Sequence, residues 1–324
     1  MRLIKRLVGI LFWFSLFCFC AGLVSPRIAA LVEGHISFPL RGSLSGFTSV
    51  LPIPLFELLI PVLPILLTVM LVKGRLSVVT TVAKLLFISY VITLGTSATV
   101  ADRITDVREF ETEDYIAVAR VIVDGLCDTA HAPSAYVASE AAFVATEYAG
   151  DRLSVMGDTV PMVKATLVPD VLTKMGVIAY YAFPTAEVVV NTAAPDFMIA
   201  LSSAHETMHL SGITDEDEAN LFAIAALLES GDATLEFYAY LNAFVYVGSR
   251  ICTQNCDTYN EIYALLPDKA REQLNRRSDF LSEKNGTLGR LSASLNDAAI
   301  TLRDSRGSDS YSESAALIAA YFLQ

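Results

Sequence analysis

Three long apolar stretches near the N-terminus constrain the fold of this chain more than any other feature of its sequence. They cover residues 7–24, 51–72 and 76–97. Their only charged side chains are Glu57 and Lys84. Each stretch is long enough to cross a hydrocarbon core of about 30 Å as an α-helix. The sequence therefore predicts a membrane domain over residues 1–99 with about three transmembrane helices.

Basic residues beside these stretches predict how the chain is oriented. They are Arg2, Lys5, Arg6, Lys73 and Arg75. Cytoplasmic ends of membrane segments are enriched in lysine and arginine, so the N-terminus and the turn near residue 74 are expected in the cytoplasm. Residues 25–50 then form an outer loop, and residues 100–324 form an extracytoplasmic domain. The first stretch also fits a cleaved signal peptide, and cleavage would leave that domain on the same side.

The acidic balance of the chain limits its partners. The net charge is −12, whereas phosphate binding requires a basic face, so no nucleic-acid partner is expected. Cys252 and Cys256 belong to the predicted outer domain. There they either form a disulfide across a short loop or remain reduced, partly buried thiols.

The segment His205-Glu206-Thr207-Met208-His209 carries the strongest chemical signal. It spells H-E-x-x-H in a chain with only four histidines. Residues four apart lie on one face of an α-helix, so both imidazoles can reach a single tetrahedral Zn²⁺. Glu206 is then free to act as the general base. The pattern predicts a zinc-dependent hydrolase, most often a peptidase, with one Zn²⁺ per chain.

A catalytic zinc takes three protein ligands and keeps a fourth position for water. After the expected helix end at Gly212, the acidic run that begins at Asp215 can fold back toward the histidines. Glu216 is the favoured third ligand, and Glu218 is the alternative. Asn220, one turn after Glu216, is expected to orient a ligating imidazole through a hydrogen bond.

The rest of the outer domain is predicted to be mainly helical. Helical spacing of apolar residues predicts helices at residues 112–126, 134–150, 196–210, 214–230, 233–250, 258–282 and 311–323. Thr214 is the expected N-cap of the fourth of these, with Asp217 completing a loose capping box. The β-branched run at 188–190 predicts a strand. The predicted fold class is mainly α: N-terminal transmembrane helices are followed by a zincin-like, mostly helical domain with a small β-sheet.

Several residues are candidates for substrate or transition-state contacts. By residue type, the second donor to an oxyanion could be Tyr238, Tyr240, Tyr311 or Arg303. Packed aromatic rings and a surface arginine are the alternative interpretation. Residues 188–191, including Val189 and Asn191, could form an edge strand that pairs with an extended peptide, or an ordinary interior strand.

Residues 176–250 resemble the bacterial membrane family known as domain of unknown function 3810. The matching residues are Phe183-Pro184-Thr185, Glu187, Asn191, His205-Glu206, His209, Gly212-Ile213 and Glu216-Asp217-Glu218-Ala219-Asn220. The resemblance implies N-terminal membrane spans followed by an H-E-x-x-H domain. The order Glu216-x-x-Ala219-Asn220 is also similar to an element of gluzincin-type peptidases, which implies Glu216 as third zinc ligand. Ala186, Met208 and Leu210 depart from the family's usual residues.

The sequence thus predicts a multi-pass membrane protein that hydrolyses peptide bonds with a zinc-activated water and Glu206 as general base. Its expected partners are a peptide or protein substrate and the lipid bilayer. The alternative is a non-catalytic membrane protein, a pseudoenzyme that binds zinc or peptides. The two differ in whether the protein loses an activity when Glu206 is replaced.

Overall fold

The structure is a computed structural model, and it describes residues 2–95, 104, 109–126, 134–153, 159–284, 289 and 310–323. The described chain is mostly helical and contains one small sheet. This agrees with the predicted fold class. The side chain of Tyr311 and all of Arg303 lie outside the described part.

Three N-terminal helices are long and apolar enough to cross a membrane. They are α1 (Arg2–Val24), α4 (Leu55–Val72) and α5 (Leu76–Tyr90), the last of which continues as a π-helical turn over Val91–Gly95. The apolar windows run over Leu3–Val24, Leu55–Val72 and Leu76–Thr93. The second helix begins four residues later than predicted, because Pro54 stands in extended conformation at its N-cap.

The connection between α1 and α4 is helical, so the prediction of a loop over residues 25–50 was wrong. It contains α2 (Pro26–Val32), a π-helical turn (Glu33–Ser37) and α3 (Phe38–Thr48). Its prolines stand in the first turn of each α-helix, where the missing amide costs nothing. A Cβ on Gly42 would come within 3.1 Å of Thr159 Oγ1. The small residues that resembled a loop therefore allow close packing.

The helical part that follows the apolar helices is built around α9 (Asp196–Leu210), which carries the H-E-x-x-H motif. Around it pack α7 (Ser134–Leu153), α10 (Glu216–Leu228) and α11 (Ala233–Gln254). Eleven of its residues are buried, so it is apolar on nearly all sides, as a central helix must be. The rigid core holds the motif in place.

The other helices complete this domain. They are α6 (Thr112–Gly125), α8 (Pro169–Met175), α12 (Cys256–Ala264), α13 (Asp268–Ser282) and α14 (Ser310–Phe322). The single helix predicted over residues 258–282 is therefore two. Pro267 is the N-cap of the second helix, and a proline inside a continuous helix would remove a backbone hydrogen bond.

The sheet has three short strands in the order β1-β3-β2. They are β1 (Val163–Ala165), β2 (Ala179–Ala182) and β3 (Glu187–Val190). The central strand β3 runs parallel to β1 and antiparallel to β2, with Val188 opposite both Val163 and Tyr181. All four residues of β3 are buried. Of the two possibilities for residues 188–191, the interior strand is the one observed, and a continuous β-branched run suits a strand buried on both faces.

Two carboxylates join the sheet to the start of α4. Glu187 accepts hydrogen bonds from the amides of Leu55 (2.8 Å) and Phe56 (2.9 Å), and it pairs with Lys164 Nζ at 2.5 Å. In the opposite direction, Glu57 of α4 accepts bonds from the Thr166 hydroxyl, the Leu167 amide and the Tyr180 hydroxyl. The first turn of α4 has amides without partners in its own helix, and a carboxylate satisfies them well.

The pKa of Glu187 reflects this environment. Burial alone would raise the pKa of its carboxyl group. The Lys164 ammonium, the Thr185 hydroxyl and the amides of Leu55 and Phe56 outweigh burial and hold the pKa below its usual value. Glu187 is therefore ionised at neutral pH, and Lys164 has a buried counter-ion.

Candidate metal centre

The motif helix ends in a turn that places the second histidine. The Gly212 amide donates to the His209 carbonyl and the Ile213 amide donates to the Met208 carbonyl, both at 3.0 Å. Gly212 has φ = 95°, as expected for the residue after a helix C-cap. The predicted bounds of α9 and its ending at Gly212 are therefore confirmed. The turn sends the chain back toward the face that carries His205 and His209.

The α2–α3 connection packs directly against this turn. A Cβ on Gly212 would lie 2.7 Å from Glu33 Oε1 and 2.9 Å from Arg41 Nη2. These two side chains form an ion pair of 2.6 Å, and the Arg41 side chain is completely buried. Sequence reasoning missed both residues, since they precede the motif by more than 160 positions. Only glycine satisfies both the positive φ and the close approach.

One hydrogen bond sets the orientation of His209. Its Nδ1 donates to the Ile213 carbonyl at 2.7 Å. This bond fixes the proton on Nδ1 and leaves Nε2 as the nitrogen with a free lone pair. The rings of His205 and His209 lie edge to face with centroids 4.5 Å apart. The backbone of the turn thus has the orienting role that was predicted for Asn220.

Glu216 completes a triad with the two histidines. Its Oε2 lies 3.2 Å from His205 Nε2 and 3.5 Å from His209 Nε2. The three ligand atoms all lie within 4.8 Å of one another. Tetrahedral zinc with bonds of about 2.0–2.1 Å has ligand atoms about 3.3 Å apart. The His/His/Glu triad could therefore hold a metal ion with little rearrangement.

The start of α10 explains why Glu216, and not Glu218, reaches the histidines. Asp215 is the N-cap and accepts a bond from the Glu218 amide at 2.8 Å, so the prediction of Thr214 as N-cap was wrong by one residue. Glu218 turns away and accepts a bond from the Ile104 amide at 2.6 Å. The alternative ligand is therefore engaged elsewhere.

Asn220 contacts the last helix and not an imidazole. Its amide donates to Ser314 Oγ at 3.1 Å, and the Ser314 hydroxyl donates to Asp217. Burial is the main cause of a raised pKa of about 7 for Asp217. Nδ1 of His205 is buried, and it has no hydrogen-bond partner within the described part of the chain. A backbone carbonyl thus orients the His209 ring, whereas the His205 ring has no such hydrogen bond among the described residues.

Electrostatics of the triad favours positive charge. Burial lowers the pKa of His209, but the neighbouring Glu216 carboxylate outweighs burial and raises it to about 9. Burial has the opposite effect on Glu216, whose pKa is nevertheless held well below its usual value, first by His209. A field that holds a proton between these groups also favours a divalent cation in its place.

The triad opens into a cleft of about 1210 Å³. Its lining includes His205, Glu206, Glu216 and the segment from Gly176 to Ala179. The Asn191 amide bonds to the Ile178 carbonyl, so in the antiparallel pattern Ala179 directs its own N–H and C=O away from β3. The sheet edge at this cleft is therefore β2.

Four predicted substrate contacts lie away from the cleft. Tyr238 is fully buried in the core, and Tyr240 stacks on Phe322. Val189 is buried in the central strand, and the Asn191 amide group donates to Thr173 and Val177. Long-range packing decided these positions, and residue type alone could not indicate it. The cleft instead contains Tyr246 and Arg250 of α11, Tyr259 of α12 and Arg277 of α13.

The sequence did not predict the cleft wall formed by Tyr246, Arg250 and Arg277, although the spacing of the first two gave part of the signal. Tyr246 and Arg250 are four apart and share one face of α11. Nothing in the local sequence shows that α13 brings Arg277 to the same face. Their shared position in the cleft depends on how α11, α12 and α13 fold relative to one another.

These features define a mainly helical protein with apolar N-terminal helices and a His/His/Glu triad that could hold a metal ion. The chain belongs to the family described as "Protein of unknown function (DUF3810)", whose family model matches residues 38–319. The match begins at the first residue of α3 and includes the triad, the sheet and the cleft wall. No curated protein and no solved structure matches the chain.

Proposed function

We propose that this protein is a membrane-anchored zinc metallopeptidase. The observation that carries the proposal is the placement of Glu216 Oε2 at 3.2 and 3.5 Å from the two histidine Nε2 atoms, with Glu206 beside them in an open cleft. Two imidazoles and one carboxylate are the ligand set of many hydrolytic zinc sites. The alternative, a non-catalytic zinc- or peptide-binding protein, shares the ligands and differs only in the role of Glu206.

Each residue of the site has a distinct chemical task. When bound, zinc supplies a Lewis acid that makes water a nucleophile at neutral pH. Glu206 accepts a proton from the attacking water and passes it to the leaving amine. His205, His209 and Glu216 hold the metal, and the Ile213 carbonyl keeps His209 in the required tautomer.

The edge of β2, which no strand in the described ranges pairs with, gives the substrate a place to bind. An extended peptide can add to a sheet edge through main-chain hydrogen bonds. The N–H and C=O of Ala179 point to that edge, and Ala179 lines the same cleft as Glu206. A peptide paired there would pass along the motif helix with its backbone held near the triad.

The membrane arrangement follows from the charges beside the apolar helices. The cluster at residues 2–6 and the pair Lys73 and Arg75 favour the cytoplasmic side. The protein would then be multi-pass in the cell membrane, with the triad and cleft outside the cytoplasm. Substrates would be extracytoplasmic peptides or protein segments.

Metal content of the full-length protein tests the metal part of the proposal. We expect about one zinc per chain by elemental analysis after purification without chelators. His205→Ala should lose it, whereas the control His35→Ala should keep it, because His35 is exposed and, among the described residues, bonds only to the Leu31 carbonyl. A metal-free wild type would contradict the proposal.

The catalytic part is tested with Glu206→Gln, which should keep zinc and lose hydrolysis. Proteomic comparison of cells with the wild type and the variant should reveal accumulation of uncleaved extracytoplasmic proteins in the variant. Equal patterns, together with full zinc content in both proteins, would favour the non-catalytic alternative.

A further inference from the structure

The charges that line the cleft differ in sign from those of the chain as a whole. The chain carries −12. Among the described residues of the cleft lining, the only acids are Glu216 of the triad and the neighbouring Glu206. The remaining ionised groups are the cations Arg250, Arg277 and Lys284. An acidic protein thus has a cleft whose wall away from the triad is cationic.

The two arginines of this wall are half-buried. Arg277 lies near Tyr246 and Tyr259, and burial lowers its pKa without neutralising the guanidinium. It forms no ion pair or hydrogen bond with a described residue. Arg250 shares a hydrogen bond with the Tyr115 side chain, while its Nε is buried without a partner in the described part. Partly desolvated guanidinium groups favour an anionic partner.

The third cation, Lys284, is exposed, and its side chain packs against the backbone of Gly176 at the cleft. Gly176 has φ = 70°, and a Cβ on it would lie 2.4 Å from Lys284 Cδ. The lysine stem therefore lies against the turn that leads into β2. This places an ammonium group near the segment where a peptide would enter the cleft.

We propose that the wall formed by Arg250 and Arg277 binds a carboxylate of the substrate, so that the preferred substrates are acidic peptides. This inference rests on the proposed peptidase function and names its substrate class. The carboxylate belongs either to an Asp or Glu side chain or to the C-terminus of the peptide. Both can accept paired hydrogen bonds from the planar guanidinium, and Lys284 adds long-range attraction.

The test uses full-length, zinc-loaded Glu206→Gln protein in detergent, which binds peptides without cleaving them. The probes are N-acetylated peptide libraries in matched sets, with internal Glu or Gln and with a C-terminal acid or amide. We expect at least one acidic set to be retained about tenfold more than its neutral match. Comparison of the sets separates a side-chain carboxylate from a terminal one.

Variants of α13 then locate the preference. Arg277→Met in the same background should abolish the tenfold difference, and Arg277→Glu should shift retention toward basic peptides. Arg276→Met is the matched control, since Arg276 is exposed and outside the cleft lining. Equal retention of acidic and neutral sets by zinc-loaded protein would overturn the inference alone. Absence of zinc would instead refute the proposed function.

An apolar surface beside the start of α4 carries an independent inference. The exposed apolar side chains on it are Val160, Met162, Leu167, Val168 and Val171, each 41–48% exposed. They are sequence neighbours of two contacts with the N-terminal helices: the Met162 amide bonds to Ser49 Oγ at the end of α3, and the Leu167 amide bonds to Glu57 of α4. The surface is thus continuous with the end of α4 that would meet the membrane interface.

We infer that the lipid interface of the same bilayer covers this apolar surface. Apolar side chains gain free energy when lipid replaces water around them. The surface would hold the outer domain against the membrane. Because the short helix α8, about 10 Å long, leads from Val168 to Gly176, it would connect this surface to the cleft entrance.

Tryptophan quenching by brominated lipids tests this contact in full-length protein. The chain has a single tryptophan, Trp13, which is exposed on α1 and is the positive control. In a Trp13→Phe background, Met162→Trp should be quenched to a similar extent. Leu265→Trp, on an exposed site between α12 and α13, should be quenched little. Equal, weak quenching of both variants would overturn the inference.

Discussion

The buried pair Lys164–Glu187 predicts a large and specific loss of stability when its acid is replaced. Both side chains are almost completely buried, and their charged atoms are 2.5 Å apart. Glu187 also accepts bonds from Thr185 and from two amides of α4. Glu187→Gln keeps the volume of the side chain, removes its charge and replaces one accepting oxygen with an NH2 group that faces donors. It therefore leaves the Lys164 ammonium buried without a counter-ion.

Removing one partner of a buried ion pair costs about 3–5 kcal/mol, because the remaining charge stays desolvated. For a chain of this size, 1 kcal/mol corresponds to about 2–4 °C in Tm. We therefore expect Glu187→Gln to lower Tm by roughly 10 °C. The Lys164 ammonium also donates to the carbonyls of Thr48 and Ile53, which reduces the loss only in part.

Thermal unfolding of full-length protein in detergent, followed by far-ultraviolet circular dichroism, measures this effect. Lys164→Met/Glu187→Gln should melt at a higher temperature than Glu187→Gln alone, because no buried charge remains unpaired. The exposed Glu272→Gln on α13 is the control and should change Tm by about 1 °C or less. The reasoning would be refuted if Glu187→Gln melted within about 2 °C of the wild type, or if the double variant were the least stable.

Four further predictions concern pH, the turn after the motif, the cysteines and the metal. Folding lowers the pKa of Glu187 below 4.5. Its ionised carboxylate therefore contributes fully to stability above that pH, and the contribution is lost as pH falls through the lower pKa of the folded state. When Tm is measured against pH, it should fall less steeply with acid in Glu187→Gln than in the wild type. Gly212→Ala should destabilise by about 1–3 kcal/mol more than Gly231→Ala, because both have positive φ but only Gly212 is crowded; chemical denaturation compares them. With Sγ atoms 3.1 Å apart, Cys252 and Cys256 should form a disulfide under a mild oxidant while Cys18 and Cys20 stay free; alkylation followed by mass spectrometry distinguishes the pairs. Removing zinc with a chelator should lower stability by about 2.7 kcal/mol relative to zinc at a hundredfold excess over its Kd, and His205→Ala should show no such shift in Tm.

Local signals in the sequence were sufficient where a short segment determines its own structure. The bounds of α9 follow from Pro195 and Gly212, and both residues act within one or two turns of the helix end. The three apolar helices were predictable because their length and composition have few alternatives. Glu216 could be chosen as a candidate ligand from the short acidic run that follows Gly212. The turn at Gly212 keeps this run close to the end of the motif helix.

Features that depend on distant segments were not predictable from the sequence. The burial of β3 requires pairing with β1, which lies about 25 residues earlier in the chain. The local sequence therefore could not decide whether β3 is an edge strand or an interior strand. Arg41 and Glu33 reach Gly212 only because the segment from α2 to α3 packs against the turn after α9. The cationic cleft wall needs α11 and α13 to bring Arg250 and Arg277 to one cleft. In each case, tertiary packing decided which of several local possibilities was realised.

The bonds between Glu187 and α4 have a consequence for how the protein can be divided. A chain that began at residue 100 would retain His205, His209 and Glu216. It would lack the amides that Glu187 accepts from, the carbonyls that Lys164 donates to, and the Glu33–Arg41 pair behind Gly212. We expect residues 100–324 to fold poorly alone. The segment from α2 to the start of α4 belongs to the same folding unit as the triad.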